Sequence, residues 1–307
     1  MNKILINAAV AAAMSVASMA AVAGPVILGG DDLTDHGSRT AGGVNQAGWL
    51  YIEKAVGNVL TGVSRTLGAL STNYDIVALG SAVNASFNGG NAGGAIGSVA
   101  QVLNKTVLYV DGAAAVTQFF QDLANGVVDA RMLWMAGTGA VNDLDVAEGA
   151  QLTINAAAIN AFGSSGGGIM AHGSGVDAYG WLSALLPGIT EVGQCNESGA
   201  TLTAAGQAAF PGLSNNNVNA AAGPCHSSFT GNFGGLQTLA VDGDGRSYII
   251  GGGANTVIQC GDPGQPPCPT VPEPGSLPLV LLAGLGLALP QLRRLLKTGT
   301  TDTAGKA

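Results

Sequence analysis

Five short apolar runs set the frame for the fold: "PVILGG" (25–30), "YDIVALG" (74–80), "TVLYVDG" (106–112), "ARMLWMAG" (130–137) and "GGIMAHG" (167–173). They are too continuous to alternate between core and solvent, which marks strands buried on both faces. Between them lie helix-like stretches: "QAGWLYIEKAVGNVL" (46–60), "AIGSVAQVLNK" (95–105), "AAVTQFFQDLAN" (114–125) and "DVAEGAQLTINAAAINAFGSS" (145–165). Strands alternating with helices predict a mainly parallel sheet covered on both sides, an α/β three-layer sandwich. "LQTLAVDGDGRSYIIGGG" (236–253) reads as a C-terminal β-hairpin, expected at a sheet edge or as a small flap. No internal repeat of adequate length is present, which argues against a solenoid or propeller.

The two ends of the chain carry signals of another kind. After Met1-Asn2-Lys3 the chain runs uncharged through "ILINAAVAAAMSVASMAAVA", with small residues at Ala21 and Ala23. This is the form of a secretory signal with cleavage after Ala23. At the other end, Gly275 to Leu292 has no ionisable residue and is long enough for a transmembrane helix. Arg293, Arg294 and Lys297 follow it, and such cations favour the cytoplasmic side. The expected organisation is a signal peptide (1–23), an exported α/β domain (24–258), a Pro-rich linker (259–271), a sorting segment (272–297) and a cytoplasmic tail (298–307).

Pro272-Glu273-Pro274, the apolar span and Arg293-Arg294 together resemble the PEP-CTERM sorting signal of Gram-negative bacteria. The resemblance covers about the last tenth of the chain, and its tail "TGTTDTAGKA" is longer than usual. It implies export by the secretion machinery, a tethered precursor in the inner membrane, and processing near Pro272–Pro274 by an exosortase. It also implies delivery to the cell surface or outside, with extracellular polysaccharide as a partner. The two prolines fix φ and deny the backbone a regular ladder, which keeps such a site extended and accessible. A plain C-terminal anchor is the competing reading.

Only 10 % of residues are charged, 49 are glycine and the net charge is −8. With several of the 11 Lys and Arg in the terminal segments, no basic stripe remains for nucleic acid. Cys195, Cys225, Cys260 and Cys268 predict two disulfides in an oxidising compartment. Of three pairings, Cys195–Cys225 with Cys260–Cys268 is preferred. A zinc site is the alternative, but no Cys-x-x-Cys is present.

"AFGSSGGGIMAHGSG" (161–175) resembles the helix, Gly-rich turn and strand before the nucleophile elbow of class I glutamine amidotransferase-like and trehalose-utilisation-like domains. That resemblance implies a flavodoxin-like sandwich. Ala171-His172-Gly173 stands in the elbow region with no cysteine near, so amidotransferase chemistry does not carry over.

Ligands in an open α/β sheet collect beyond the carboxyl ends of the strands. Asp31, Asp32, Asp35 and His36 follow the first strand, Asp111 the third, and His172 and Ser174 the fifth. Carboxylates with imidazoles suit a divalent cation, calcium through hard oxygens or zinc through mixed ligands. No metal is assigned, because the spacing matches no established loop. The structural alternative is that Asp31 or Asp32 caps a turn and Thr34 or Asp35 starts a helix. His172 and Ser174 suggest a hydrolase pair, but two positions apart on a strand they share a face without triad geometry. Gly-x-Ser-x-Gly is also missing. "VDGDGRS" (241–247) resembles part of a calcium loop, lacks its later ligands, and reads as a tight turn. His226 reads as a loop residue. The favoured function is a sorted surface or matrix protein with a binding or structural body. The alternative is a secreted hydrolase or metal-dependent enzyme using the strand-end Asp/His cluster.

Overall fold

The computed structural model describes residues 22–259, apart from 88, 138–143, 221–222 and 234. In chain order the strands are β1 (Val22–Gly29), β2 (Gly37–Arg39), β3 (Asn45–Ala47), β4 (Thr72–Leu79), β5 (Val107–Val110), β6 (Val128–Met135), β7 (Gly168–Ala171), β8 (Ile189–Val192), β9 (Thr201–Leu202), β10 (Ser228–Gly231), β11 (Gln237–Val241) and β12 (Ser247–Gln259). The longer helices are α1 (Gly48–Gly62), α2 (Ala92–Leu103), α3 (Ala113–Ala124), α4 (Val146–Ile154) and α5 (Ala156–Ser164).

β5, β4, β6, β7 and β1 lie side by side in that order, every neighbouring pair parallel. The inner strands are apolar and buried through their middles, as in Val26–Leu28, Ile76–Leu79 and Met132–Met135, while the edge strand β5 is only partly buried. Right-handed crossovers put α2, which links β4 to β5, on one face, and α3, which links β5 back to β6, on the other. α1 packs against α2, and α3, α4 and α5 pack in succession, so helices cover both faces. α1 turns Trp49, Ile52, Val56 and Val59 inward at helical spacing. The Asp145/Glu148 capping box starts α4, and the Asn91 side chain caps Gly94 N–H at the start of α2.

Beyond β1 the sheet becomes antiparallel, running β12, β10, β8, with β11 on β12 and β9 on β11. The hairpin expected at 236–253 forms as β11 and β12, joined at Val241↔Ser247. Its expected place at an edge is corrected. β12 lies between β1 and β10, with Leu28↔Ile250 in register, because its apolar Tyr248, Ile249 and Ile250 suit burial.

One further expectation changes. No helix starts at Thr34 or Asp35; the chain turns there and forms the β2–β3 hairpin, and the helix begins only at Gly48. The stretch from Cys195 to Cys225 holds β9 and two short helices, Ala204–Ala209 and Asn215–Asn219. No helix among the described residues is long and apolar enough to cross a membrane. The expected span 275–292, the Pro272–Pro274 motif, Arg293, Arg294, Cys260 and Cys268 lie outside the described residues.

Candidate functional site

β1 and β7 run parallel with Leu28 opposite Ala171, so the residues that follow them meet at the same end of the sheet. Gly29 and Gly30 let the chain turn tightly there. A Cβ at Gly29 would fall 1.7 Å from Asp31 Oδ2, and one at Gly30 would fall 1.9 Å from the Ser227 carbonyl oxygen. Asp31 Oδ1 is 2.7 Å from His172 Nδ1 and accepts the Leu33 N–H at 3.0 Å. The Trp134 indole N–H donates to His172 Nε2 at 3.2 Å. That donor makes Nε2 an acceptor and places the ring proton on Nδ1, facing the carboxylate. Asp31, His172 and Trp134 are all wholly buried.

Around this relay stand three buried tyrosines. Tyr179 Oη donates to the Gly29 carbonyl at 2.7 Å, which braces the end of β1. Tyr51 Oη, Tyr248 Oη and Asp31 Oδ2 have no hydrogen-bond partner among the described residues. Burial, reinforced by the Asp31 charge, pushes the Tyr51, Tyr179 and Tyr248 phenols well above their ordinary value.

One residue further on, the chemistry moves to the surface. Asp32 Oδ2 is 2.8 Å from His226 Nε2, and Oδ1 is 3.2 Å from His36 Nε2. The chain has three histidines, and each engages the Asp31-Asp32 dipeptide. Backbone bonds bring His226 there: Asp32 N–H donates to Pro224 O at 3.0 Å and His226 N–H to Gly30 O at 2.8 Å. A Cys195–Cys225 disulfide, with Cα atoms 5.7 Å apart, fixes the same segment.

Burial would raise the Asp32 pKa, but hydrogen bonds from His226 and His36, and their charge, prevail and hold it near 2. Asp35 is pushed up to about 6 by burial and by the neighbouring Asp32 charge. The hydrogen bond to Asp32 raises both His36 and His226. Next to the cluster is an open cleft of about 700 Å³ lined by Cys195, Asn196, Glu197, Cys225, His226 and Arg246, among others.

The strand-end candidates thus separate. Asp31 joins His172 inside, while Asp32, Asp35 and His36 gather outside with His226. Asp111 is exposed after β5, the far edge strand, and stays apart from them. Ser174 begins the short helix Gly175–Tyr179 and takes no part in the His172 hydrogen bonds. At the Asp242 turn, Oδ1 accepts the N–H groups of Asp244 and Arg246 at 2.9 and 2.8 Å. Among the described residues, the one trio of ligand atoms close enough for a metal is Cys195, Cys225 and Asp242. The disulfide consumes both sulfurs.

Sequence reasoning missed His226, Trp134 and Tyr51. Only the adjacency of His226 to Cys225 was a usable signal, since a disulfide beside a histidine fixes where that histidine goes. Comparison with family models, curated proteins and solved structures finds no match.

Proposed function

We propose that this chain is an exported protein, sorted to the cell surface or matrix, whose α/β body is a binding module. The observation that carries the reading of the body is the state of His172. It is wholly buried, and both ring nitrogens are engaged, one with Asp31 and one with Trp134. In a Ser-His-Asp arrangement the second nitrogen faces the nucleophile. Here an indole N–H holds that place, and an indole is no nucleophile.

What reaches solvent is the Asp32–His36–His226 cluster with Asp35, at the strand ends where α/β proteins collect ligands. No three ligand atoms of this cluster stand close enough together to share one ion, so a divalent cation there would require these side chains to move. The order β5-β4-β6-β7, with the chain's first strand in the fifth place, supports a flavodoxin-like reading of the parallel core. Export, the inner-membrane tether, exosortase processing and an extracellular polysaccharide partner rest on the terminal segments of the sequence. The disulfide supports an oxidising compartment.

One observation favours the alternative of a secreted hydrolase or metal-dependent enzyme. Asp35, raised to about 6, and two imidazoles lie together, and shifted groups of this kind serve acid–base chemistry. A panel of ester, amide and glycan substrates separates the two, with Asp35, His36 and His226 each changed to Ala. No turnover by the parent supports the binding module. Turnover lost in these variants establishes the enzyme.

A further inference from the structure

In this acidic chain nearly every described cation is matched by a carboxylate. Lys54 pairs with Glu53, Arg65 with Asp129, Lys105 and Arg131 with Asp75, and Arg246 with Asp242 and Asp244. Arg39, the last residue of β2, has no carboxylate partner among the described residues. It is nonetheless held firmly. Its backbone N–H donates to Phe87 O at 2.9 Å, its guanidinium lies 5.1 Å from the Phe87 ring centroid, and Nη1 donates to Gln101 Oε1.

Arg65 shows what such a group takes. It too lies over an aromatic ring, 4.9 Å from the Phe162 centroid, and its Nε and Nη2 both donate to Asp129 Oδ1, at 3.0 and 2.8 Å. On Arg39 the same Nε/Nη2 edge has no acceptor: Nε is buried without a partner, and Nη2 makes no hydrogen bond among the described residues. Gly43 keeps that edge clear. A Cβ there, at φ +84°, would come 3.1 Å from Nη2 and 3.7 Å from Nε.

We propose that the cleft beside Arg39 binds a small carboxylate-bearing molecule through the guanidinium of Arg39, which has no carboxylate of its own among the described residues. The cleft measures about 560 Å³ and is lined by Arg39, Thr40, Gly43, Ser86 and Phe87 among others, a size suited to a monosaccharide or amino acid. Thr40 Oγ1 accepts the Val44 N–H at 3.1 Å, which leaves its own hydrogen to donate to a ligand oxygen. The planar fork matches a carboxylate bidentately, and fixing it in advance on Phe87 spares the entropy of ordering it. The site uses none of the Asp32 cluster and stands independently of the sorting reading.

The test titrates the full chain with acetate, glucuronate and, as a neutral match, glucose, following the Arg39 Nε–H resonance. Both carboxylates shift it saturably, glucuronate with a Kd on the order of 1 mM, and glucose does not. Arg39→Gln abolishes glucuronate binding. Arg39→Lys, which keeps the charge and loses the fork, weakens it roughly tenfold. No saturable shift, an equal response to glucose, or undiminished binding by both variants overturns the proposal.

Discussion

His172 and Asp31 lie 141 positions apart in the chain and meet at 2.7 Å across the ends of two neighbouring parallel strands, both wholly buried. The contact joins the first strand of the sheet to the last parallel one. Removing one member of a buried, hydrogen-bonded pair strands the other. His172→Ala is therefore expected to lose about 3–5 kcal/mol of stability in urea unfolding, the range for a broken buried pair. A loss below about 1 kcal/mol contradicts a structural role for the pair.

Gly29 is expected to be intolerant of a side chain for a specific reason. Its Cβ would land on Asp31 Oδ2 rather than on a flexible tip that swings away freely, since Asp31 Oδ1 is held by His172 and Leu33. Gly29→Ala should cost about 1–3 kcal/mol by pulling the carboxylate out of those bonds. In the His172→Ala background the added cost should shrink, and a double-mutant cycle reads that coupling.

The surface cluster sets a pH dependence. Asp32, held near 2 against a usual 3.8, contributes stability above 3.8 that is lost as pH falls toward 2. Asp35 works the other way: its folded value near 6 exceeds 3.8, so stability declines as pH rises from 3.8 to 6. His36 and His226, both raised from 6.5, contribute stability fully below 6.5 and lose it as pH climbs through their folded values. The cluster's contribution thus peaks near pH 4 and falls toward pH 8. NMR titration should find the His36 and His226 midpoints above 6.5. His36→Asn and His226→Asn should each flatten the decline above pH 6.5 in urea unfolding, and an unchanged slope in both variants contradicts this account.

The Cys195–Cys225 bridge has a sequence separation of 30. Closing a loop of that size stabilises the folded state by about 3–4 kcal/mol on the chain-entropy view. A Cys195→Ser/Cys225→Ser double variant should lose about that much. It should also bring the His226 midpoint back toward 6.5, since the bridge fixes the segment that presents His226 to Asp32. Loss of stability with His226 unmoved shows that the backbone bonds to Gly30 and Asp32 suffice.

The parallel core was legible because its signal is local. Runs such as Ile76–Leu79 and Met132–Met135 announce strands buried on both faces, and Trp49, Ile52, Val56 and Val59 announce a helix. Strand placement was less so. Nothing in "SYIIGGG" distinguishes an edge strand from one seated between β1 and β10, since that depends on which partner comes last in the chain. The Asp31–His172 pairing was half visible, both being placed at strand ends, but their division from Asp32 and His36 was not. A one-residue step turns adjacent carboxylates to opposite sides, one into the core and one to solvent. Trp134 was invisible as a partner because its role is set by sheet order, and His226 was signalled only by its place beside Cys225.

The central claim, an exported and sorted binding protein, is tested most directly by the intact mass of the protein recovered from an exporting host with and without its exosortase. The account predicts a chain beginning at Gly24, ending near Pro272–Pro274, and lighter by the hydrogens lost to two disulfides; without exosortase the C-terminal segment stays attached. A mature protein that keeps Lys3, or one trimmed identically in both hosts, contradicts it.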